Sequence, residues 1–378
     1  MDSKSGRRIY EDLGVNPVIN GMGSQTVLGG SRLSPGVLRA MRDANRYFVD
    51  MKELLKRSGE AIAGTLGAEA ALVTPGCASV LALGSAACMT GSDRGRMEQL
   101  PDTTGMRDEF LIQSRQRYKY ERCVTVYGGK LVEVGDGVGT TASQLQAAMT
   151  DRTAGLLYVA PGGGPGVVPL VDAIAIAREQ GVAVIVDAAS QVFPLDVMCR
   201  YPRMGADVVG YGAKYFGACN STGIMCGRKD LVDAAFVQGF IGFETEERRT
   251  VGRPLKVDRQ EVIAVTAALK EWFEMDHEAR FADHRRKADE LFRLLEGIPQ
   301  IQIEHVTEKR GLGSGLLIRF EEKALGKSLS QVLAELKEGR PSIVLGDSAD
   351  ALHVSVPTLT DEDIGVVGER LRKVLGGS

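Results

Sequence analysis

Short apolar segments alternate with helical patterns through the first two thirds of this 378-residue chain. Segments that are apolar throughout, and that alternate with helices, are typical of a mostly parallel sheet covered on both faces. The sequence therefore predicts an α/β fold for this part. The segments that we assign to strands are 110–113, 123–126, 130–134, 156–159, 182–186 and 208–211.

Helices are predicted between and before these strands. Ser34 and Pro35 are typical of an N-cap and a first helical residue, and they open a helix towards Tyr47. Further helices are expected over 52–66 and 170–180.

The uncharged run 70–92 is long enough to cross a bilayer. However, Thr74-Pro75-Gly76 interrupts it near its start, and serine, threonine and glycine recur in it. We therefore expect a buried helix over 80–89, opened by this turn, and no membrane partner.

The pattern changes near residue 250. Asp258 followed by Glu261 is typical of an N-cap and capping box, and the helix that they open is expected to continue to Leu295. Shorter strand-like and helical segments then alternate in an α+β pattern. We expect an N-terminal segment and large domain over 1–255, and a smaller C-terminal α+β domain over 256–378.

Composition excludes several classes of protein. The net charge of -3 and the pI of about 6.0 give no overall positive field for nucleic acid. The six cysteines form no CxxC pair, so we expect free thiols in a cytoplasmic protein and no metal site. His277 and His284 are expected on a solvated helix. The N-terminus lacks the apolar core of a signal peptide.

Three features along the chain point to chemistry. The turn Gly76-Cys77-Ala78-Ser79 opens a helix, whose N–H groups and dipole attract anions, although an ordinary turn is the stronger interpretation of this feature alone. Asp187 ends an apolar strand, where open α/β sheets bind ligands; it could hold a cationic ring nitrogen or cap a helix. Lys214 follows another strand among glycines, and partial burial would make its amine nucleophilic.

Taken together, an anion-binding turn, a carboxylate and a lysine in this order resemble the fold type I pyridoxal-phosphate enzymes. Nearly the whole chain also resembles the D-glucosaminate-6-phosphate ammonia-lyase group, which is related to selenocysteine synthase. The strings that carry this resemblance include EDLGVNPVINGMGSQTVLGGSRLSP, PLVDAIAIAREQGVAVIVDAAS, GAKYFGACNSTGIMCGRKDLV and GRPLKVDRQEV.

The resemblance implies an aspartate aminotransferase-like fold and a homodimer or higher homo-oligomer that binds pyridoxal 5'-phosphate. It implies that Lys214 is the catalytic residue and forms a Schiff base with the cofactor, and that Asp187 holds the pyridinium. Ser190 is expected to line the ring. The phosphate would fall at Gly76, Cys77 and Ala78.

One position departs from the family pattern. Relatives usually carry a histidine that stacks on the cofactor ring in the segment matching 113–120, and here that position is Gln116. A glutamine can lie flat against a ring but cannot titrate, so proton transfer at this position would differ.

Basic residues near these features are candidates for a substrate's anionic group, because arginine clamps oxyanions with two hydrogen bonds. They are Arg115, Arg117, Arg253 and Lys256, and each could instead be a simple surface charge. The segment 115–122 interleaves basic residues with Tyr118 and Tyr120, as some nucleic-acid-binding segments do, but the acidic total argues against that function.

The resemblance implies a lyase that acts on a small-molecule amino acid. The expected substrate is a 3-hydroxy amino acid derived from a sugar, such as D-glucosaminate 6-phosphate, and the products are a 2-oxo acid and ammonia. The alternatives are a racemase, β-replacement, aldol cleavage, or a selenocysteine-synthase-like aminoacyl-tRNA transferase. Much of the surplus of 46 glycines is expected to line the cofactor site, including those at 21–30 and 162–166.

Overall fold

The computed structural model describes residues 8–246, 248–307, 314–348 and 350–376. The chain forms two compact units, one of Arg32–Glu274 and one of Met1–Ser31 with Met275–Ser378. This division differs from the predicted boundary between 255 and 256. The N-terminal segment groups with the C-terminal part because strand β1 (Val18–Gly21) pairs in parallel with β11 (Ser342–Ser348).

The larger unit is built on a seven-stranded sheet in the order β2-β8-β7-β6-β5-β3-β4. Its strands are β2 (Ala70–Thr74), β3 (Glu109–Gln113), β4 (Lys130–Val134), β5 (Thr153–Val159), β6 (Ala183–Asp187), β7 (Val208–Gly212) and β8 (Gly223–Gly227). Strand β8 runs opposite to the other six strands of this sheet, so the predicted mostly parallel sheet is confirmed. Strands β6, β5 and β3 are nearly continuous buried runs, as two covered faces require.

The larger unit contains ten α-helices among its described residues. They are α1 (Pro35–Ala44), α2 (Met51–Leu66), α3 (Gly76–Thr90), α4 (Arg94–Gln99), α5 (Ala142–Ala148), α6 (Leu170–Glu179), α7 (Leu195–Met204), α8 (Lys229–Gln238), α9 (Phe240–Thr245) and α10 (Arg259–Glu274). Short 3₁₀ helices cover Ser114–Gln116, Lys119–Thr125 and Ala213–Phe216.

Helix α3 confirms the buried helix predicted behind the glycine turn. Eleven of its residues are buried, and they lie on all of its sides, as expected for a helix enclosed by its own domain. Across the described ranges, no helix is long and apolar enough to cross a membrane. The Ser34 N-cap is also confirmed, since its side chain accepts a hydrogen bond from the Val37 N–H at 3.0 Å.

One predicted strand is wrong. The run 123–126 lies in and beside the 3₁₀ helix Lys119–Thr125, which Glu121 opens by accepting a hydrogen bond from the Tyr118 N–H at 3.1 Å. A run of four residues is too short to outweigh this local cap. The glycine-rich strand β8 gives almost no strand signal in the sequence, because glycine is depleted in strands.

The smaller unit is a five-stranded sheet in the order β1-β11-β12-β10-β9, and its α+β character agrees with the sequence pattern. The remaining strands are β9 (Ile301–Thr307), β10 (Ser314–Phe320) and β12 (Ala351–Ser355). Its helices after residue 275 are α11 (His277–Leu295), α12 (Glu322–Leu325), α13 (Leu329–Glu338) and α14 (Asp361–Leu375). Leu291, Leu316, Ile343 and Leu371 are fully buried in its core.

The single helix expected from 258 to 295 is instead two helices, α10 and α11. Asp276 starts the second, because its side chain accepts a hydrogen bond from the Ala279 N–H at 2.9 Å. The expectation of a solvated His284 is also wrong: this residue is 7% exposed, and burial lowers its pKa to about 4.

Strand β7 approaches helix α3 very closely at Gly210. A Cβ atom placed on Gly210 would lie 2.8 Å from Cys77 Sγ and 3.1 Å from Val80 Cβ. Gly210 is also aligned with Asp187 in the β6–β7 register. The bare Cα of this glycine therefore lets the first turns of α3 lie beside the end of β6.

We predict that Gly210→Ala destabilises the protein by roughly 1–3 kcal/mol, because the added methyl overpacks a fully buried contact. Adding Cys77→Ala should recover part of the loss by removing the sulfur. Urea denaturation measures both effects. Gly64→Ala is the matched control: it lies in exposed helix with open space around it, so it should be neutral or slightly stabilising. An unchanged midpoint for Gly210→Ala would contradict the close approach.

Candidate active site

Asp187 is the centre of the candidate site. It is the last residue of β6 and is buried. Its Oδ1 accepts hydrogen bonds from the Ala189 N–H at 3.1 Å and from the Cys77 thiol at 3.5 Å. Its Oδ2 accepts a hydrogen bond from the Tyr118 hydroxyl. Three segments that are distant in sequence thus meet on one carboxylate.

All of these donors are neutral. Burial, reinforced by the Asp187 charge, raises the pKa of the Cys77 thiol and of the Tyr118 phenol, so both stay protonated as donors. Asp187 forms no ion pair with any lysine, arginine or histidine in the described parts of the chain. A buried carboxylate is stabilised most by a cation placed beside it, so this arrangement suits a cationic ligand group.

The N-terminus of α3 lies beside this carboxylate through Cys77. Gly76 begins the helix with φ +78°, and no side chain caps the first turn. The Ser79 hydroxyl donates instead to the Pro75 carbonyl at 2.7 Å. Uncapped N–H groups at the positive end of a helix dipole bind phosphate well, which fits the predicted roles of Gly76, Cys77 and Ala78.

Lys214 follows β7, the strand beside β6, in the 3₁₀ helix Ala213–Phe216. The Gly212 N–H donates to the Ala189 carbonyl at 2.9 Å, which joins the start of this helix to the turn after Asp187. Burial lowers the pKa of Lys214, so a larger fraction of its amine is neutral and nucleophilic. Ser190 is half-buried in the turn that follows Asp187.

Gln116 is buried, and its side-chain amide is hydrogen-bonded to the backbone of strand β5. Its Nε2 donates to the Val159 carbonyl at 2.9 Å, and its Oε1 accepts from the Val159 N–H at 3.4 Å. The side chain that reaches Asp187 is Tyr118, two residues further on, which the sequence does not single out as a site residue. The two 3₁₀ helices that flank Tyr118 determine which side chain of this segment turns towards the sheet. Neither of these helices has a clear signal in the sequence.

The four predicted substrate-binding cations lie in different surroundings. Arg117 is paired with Glu121 at 2.6 Å and with Glu133. Arg253 is paired with Glu244. These two guanidinium groups are therefore neutralised by carboxylates in the structure.

The other two cations form no ion pair with a described residue. Arg115 donates to the backbone carbonyls of Gly137 at 2.6 Å and Val138 at 3.4 Å. Lys256 is exposed, and no ion pair to another described residue is found for it. Both remain available for an anion.

The glycines are distributed more widely than expected. Gly76, Gly210, Gly212 and Gly223 lie around the α3 turn and the strands beside it. The glycines of the loop 162–166 include one that allows a close contact between loops. A Cβ atom on Gly139 would lie 2.2 Å from the Cα of Gly166, so the loops that carry these two glycines cross there. Gly21 faces Leu345 within the smaller unit.

The buried carboxylate without a cation, the uncapped helix end and the half-buried lysine fit the ring nitrogen, the phosphate and the aldehyde of one cofactor. Together with the sheet they define a fold type I pyridoxal-phosphate enzyme. The aminotransferase class-V family matches residues 128–343, and the chain belongs to that family.

Three relatives support this assignment. The chain is 35% identical to the 5'-C-glycyluridine monooxygenase-decarboxylase of a Streptomyces species, covering 97% of this chain and 92% of the relative. It is 28% identical to the D-glucosaminate-6-phosphate ammonia lyase of Salmonella typhimurium, covering 97% of each. A solved structure of a D-glucosaminate-6-phosphate ammonia-lyase superposes with a TM-score of 0.83 at 25% identity, covering 97% of this chain and 98% of that one.

The pairing of Arg117 with Glu121 generates a stability prediction. Hydrogen bonding from Arg117 lowers the pKa of Glu121, so the pair stabilises the fold above the ordinary glutamate pKa of about 4.3 and loses this effect as pH falls through the lower folded value. Arg117→Ala should therefore reduce the free energy of unfolding by roughly 1–3 kcal/mol at pH 7.

Urea denaturation of the wild type and Arg117→Ala at several pH values measures this difference, which should shrink below about pH 4. Arg200→Ala is the matched control, because it removes only an exposed i,i+4 pair with Asp196, for which a loss of about 0.5 kcal/mol or less is expected. Equal losses for the two variants at pH 7 would contradict a structural role for the Arg117 pair.

Proposed function

We propose that this protein is a pyridoxal-phosphate-dependent ammonia-lyase that acts on a sugar-derived 3-hydroxy amino acid, with D-glucosaminate 6-phosphate as the leading candidate. The observation that carries the proposal is the buried Asp187 carboxylate, which has only neutral donors and lies beside an uncapped helix end. The ammonia-lyase relative and its solved counterpart extend the likeness over nearly the whole chain.

The bound cofactor would supply an electron sink for a carbanion at the substrate's α-carbon. Asp187 would hold the positive ring nitrogen, and the first N–H groups of α3 would bind the phosphate. Lys214 would hold the aldehyde end of the cofactor until the substrate arrives, and burial lowers the pKa of its amine, which suits the freed amine to accept the α-proton. Loss of that proton and of the β-hydroxyl as water, followed by hydrolysis, gives a 2-oxo acid and ammonia.

The substrate's anionic groups require cations that are not already neutralised. Arg115 bonds only to backbone carbonyls and Lys256 is exposed, so these two are the stronger candidates. Arg117 and Arg253 would first have to leave their glutamate partners. Arg115 lies three positions before Tyr118 in the segment that follows β3.

A second candidate function rests on the relative with the higher identity. That protein is a monooxygenase-decarboxylase whose named substrate, like glucosaminate, joins an amino acid to a sugar carbon chain. Oxidative decarboxylation of such an amino acid would consume dioxygen and release carbon dioxide. An ammonia-lyase consumes no dioxygen, so the two candidates differ in a quantity that can be measured directly.

The decisive experiment supplies the purified protein with D-glucosaminate 6-phosphate and, separately, with 5'-C-glycyluridine. Ammonia, 2-oxo acid, carbon dioxide and dioxygen uptake are measured together. We expect equal amounts of ammonia and 2-oxo acid from the first compound without dioxygen uptake. Lys214→Ala should abolish turnover and the visible cofactor band.

If only 5'-C-glycyluridine reacted, with dioxygen uptake and carbon dioxide release, the monooxygenase-decarboxylase function would replace the ammonia-lyase function. A wild-type protein without a visible cofactor band would overturn both. If Lys214→Ala turned over substrate at the wild-type rate, the role assigned to Lys214 would be wrong. Lys56→Ala is the matched control, because Lys56 lies on an exposed face of α2, and it should keep both turnover and the cofactor band.

We infer that the protein forms a homodimer or higher homo-oligomer. Three consecutive large apolar side chains between α1 and α2 are exposed: Tyr47, Phe48 and Val49 at 71%, 91% and 51%. Apolar patches of this kind mark protein interfaces, where aromatic residues are enriched.

The six free cysteines support a reducing cytoplasmic location, which cell fractionation checks.

Phe48→Glu should shift the protein towards monomer, because it places a charge in the buried centre of such an interface. Light scattering coupled to gel filtration measures the mass. Val138→Glu, at another exposed apolar residue, is the control. A wild-type protein that runs as a monomer at micromolar concentration would contradict the inference.

A further inference from the structure

Tyr118 contacts the Asp187 carboxylate directly, although it lies 69 positions away in the sequence. It adopts an extended conformation between two 3₁₀ helices, with φ -160° and ψ 164°. Its ring is partly buried and lies edge-on to Tyr120, with 6.0 Å between the centroids. The hydroxyl is thus held at the carboxyl end of β6 by backbone geometry and by packing.

The acceptor capacity of Asp187 is nearly filled. A carboxylate offers about four hydrogen-bond acceptor sites, two on each oxygen. Oδ1 uses both of its sites, for Ala189 and Cys77, whereas Oδ2 uses one for Tyr118. The remaining site is on Oδ2, so any cation that binds Asp187 shares this oxygen with the Tyr118 hydroxyl.

The backbone of Tyr118 is itself braced. The Tyr118 N–H donates to Glu121 Oε2 at 3.1 Å, and Arg117 Nε donates to the same oxygen at 2.8 Å. Glu121 is buried, so the charge of Arg117 is used to hold this carboxylate in place. A rigid donor that is aimed at one carboxylate oxygen fixes the rotation of the carboxylate.

We propose that Tyr118 is a positioning residue for the cofactor: through its hydrogen bond to Oδ2 it fixes the Asp187 carboxylate in the orientation that receives the protonated ring nitrogen. The proposal rests on the assignment of Asp187 to that nitrogen. Tyr118 takes no part in bond breaking, and its effect is confined to ligands that carry the ring nitrogen.

The test measures binding rather than turnover. The full chain, freed of cofactor, is titrated with pyridoxamine 5'-phosphate and with the analogue in which carbon replaces the ring nitrogen. Tyr118→Phe should weaken the binding of pyridoxamine 5'-phosphate about tenfold, the usual size for losing a hydrogen bond to a charged group. Binding of the analogue should change by less than about twofold, because Asp187 has no cation to hold in that complex.

Two controls separate this role from a general loss of structure. Tyr120→Phe changes the neighbouring, exposed ring and should leave both affinities unchanged. In an Asp187→Ala background, Tyr118→Phe should have no further effect, since a double-mutant cycle isolates the coupling between the two residues.

Equal weakening for both ligands would overturn the proposal, because Tyr118 would then act on the ring face or on the fold. Unchanged or tighter binding of pyridoxamine 5'-phosphate would also overturn it. If the wild type bound neither ligand, the cofactor assignment would fail together with this inference. If the wild type bound both ligands but Tyr118→Phe did not selectively weaken the binding of pyridoxamine 5'-phosphate, this inference would fail and the cofactor assignment would stand.

Discussion

A buried negative charge that no protein cation balances is the constraint on which the larger unit depends. Asp187 ends a central strand, where two parallel neighbours and helix α3 keep water away from it. Its neutral donors orient the carboxylate without cancelling its charge. Because a charge in such a place is stabilised most by a cation, binding of a cationic ring and stability of the fold are thermodynamically linked.

The close backbone approaches around this carboxylate follow from the same constraint. Cys77 can donate to Asp187 only if the first turn of α3 lies almost on the sheet, and Gly210 and Gly223 leave the space for it. A side chain at either glycine would move the helix end and the carboxylate apart. Local packing and the electrostatics of the site are therefore set by the same few positions.

Much of the fold and the centre of the site follow from the sequence, because both depend on strong local patterns. The apolar runs that end at Asp187 and before Lys214 predict the strands and the two side chains at the centre of the candidate site. Tyr118 could not be predicted, since its direction is set by Glu121 and Arg117 within a segment without hydrophobic periodicity. Arg117 is predicted to bind the substrate because the sequence shows its charge. The two glutamates that neutralise this charge become evident only in the structure. His284 is buried because it lies on the same face of α11 as Ala288, Leu291 and Leu295.

The pairing of β1 with β11 also bears on how the protein is made. Val18 is aligned with Ser342, so the ribosome must synthesise more than three hundred further residues before β1 meets its neighbour in the sheet. The unit Arg32–Glu274, in contrast, is continuous and holds Asp187 and Lys214 together. During translation, the whole of the unit that carries these two residues is therefore made before the partner of β1 exists.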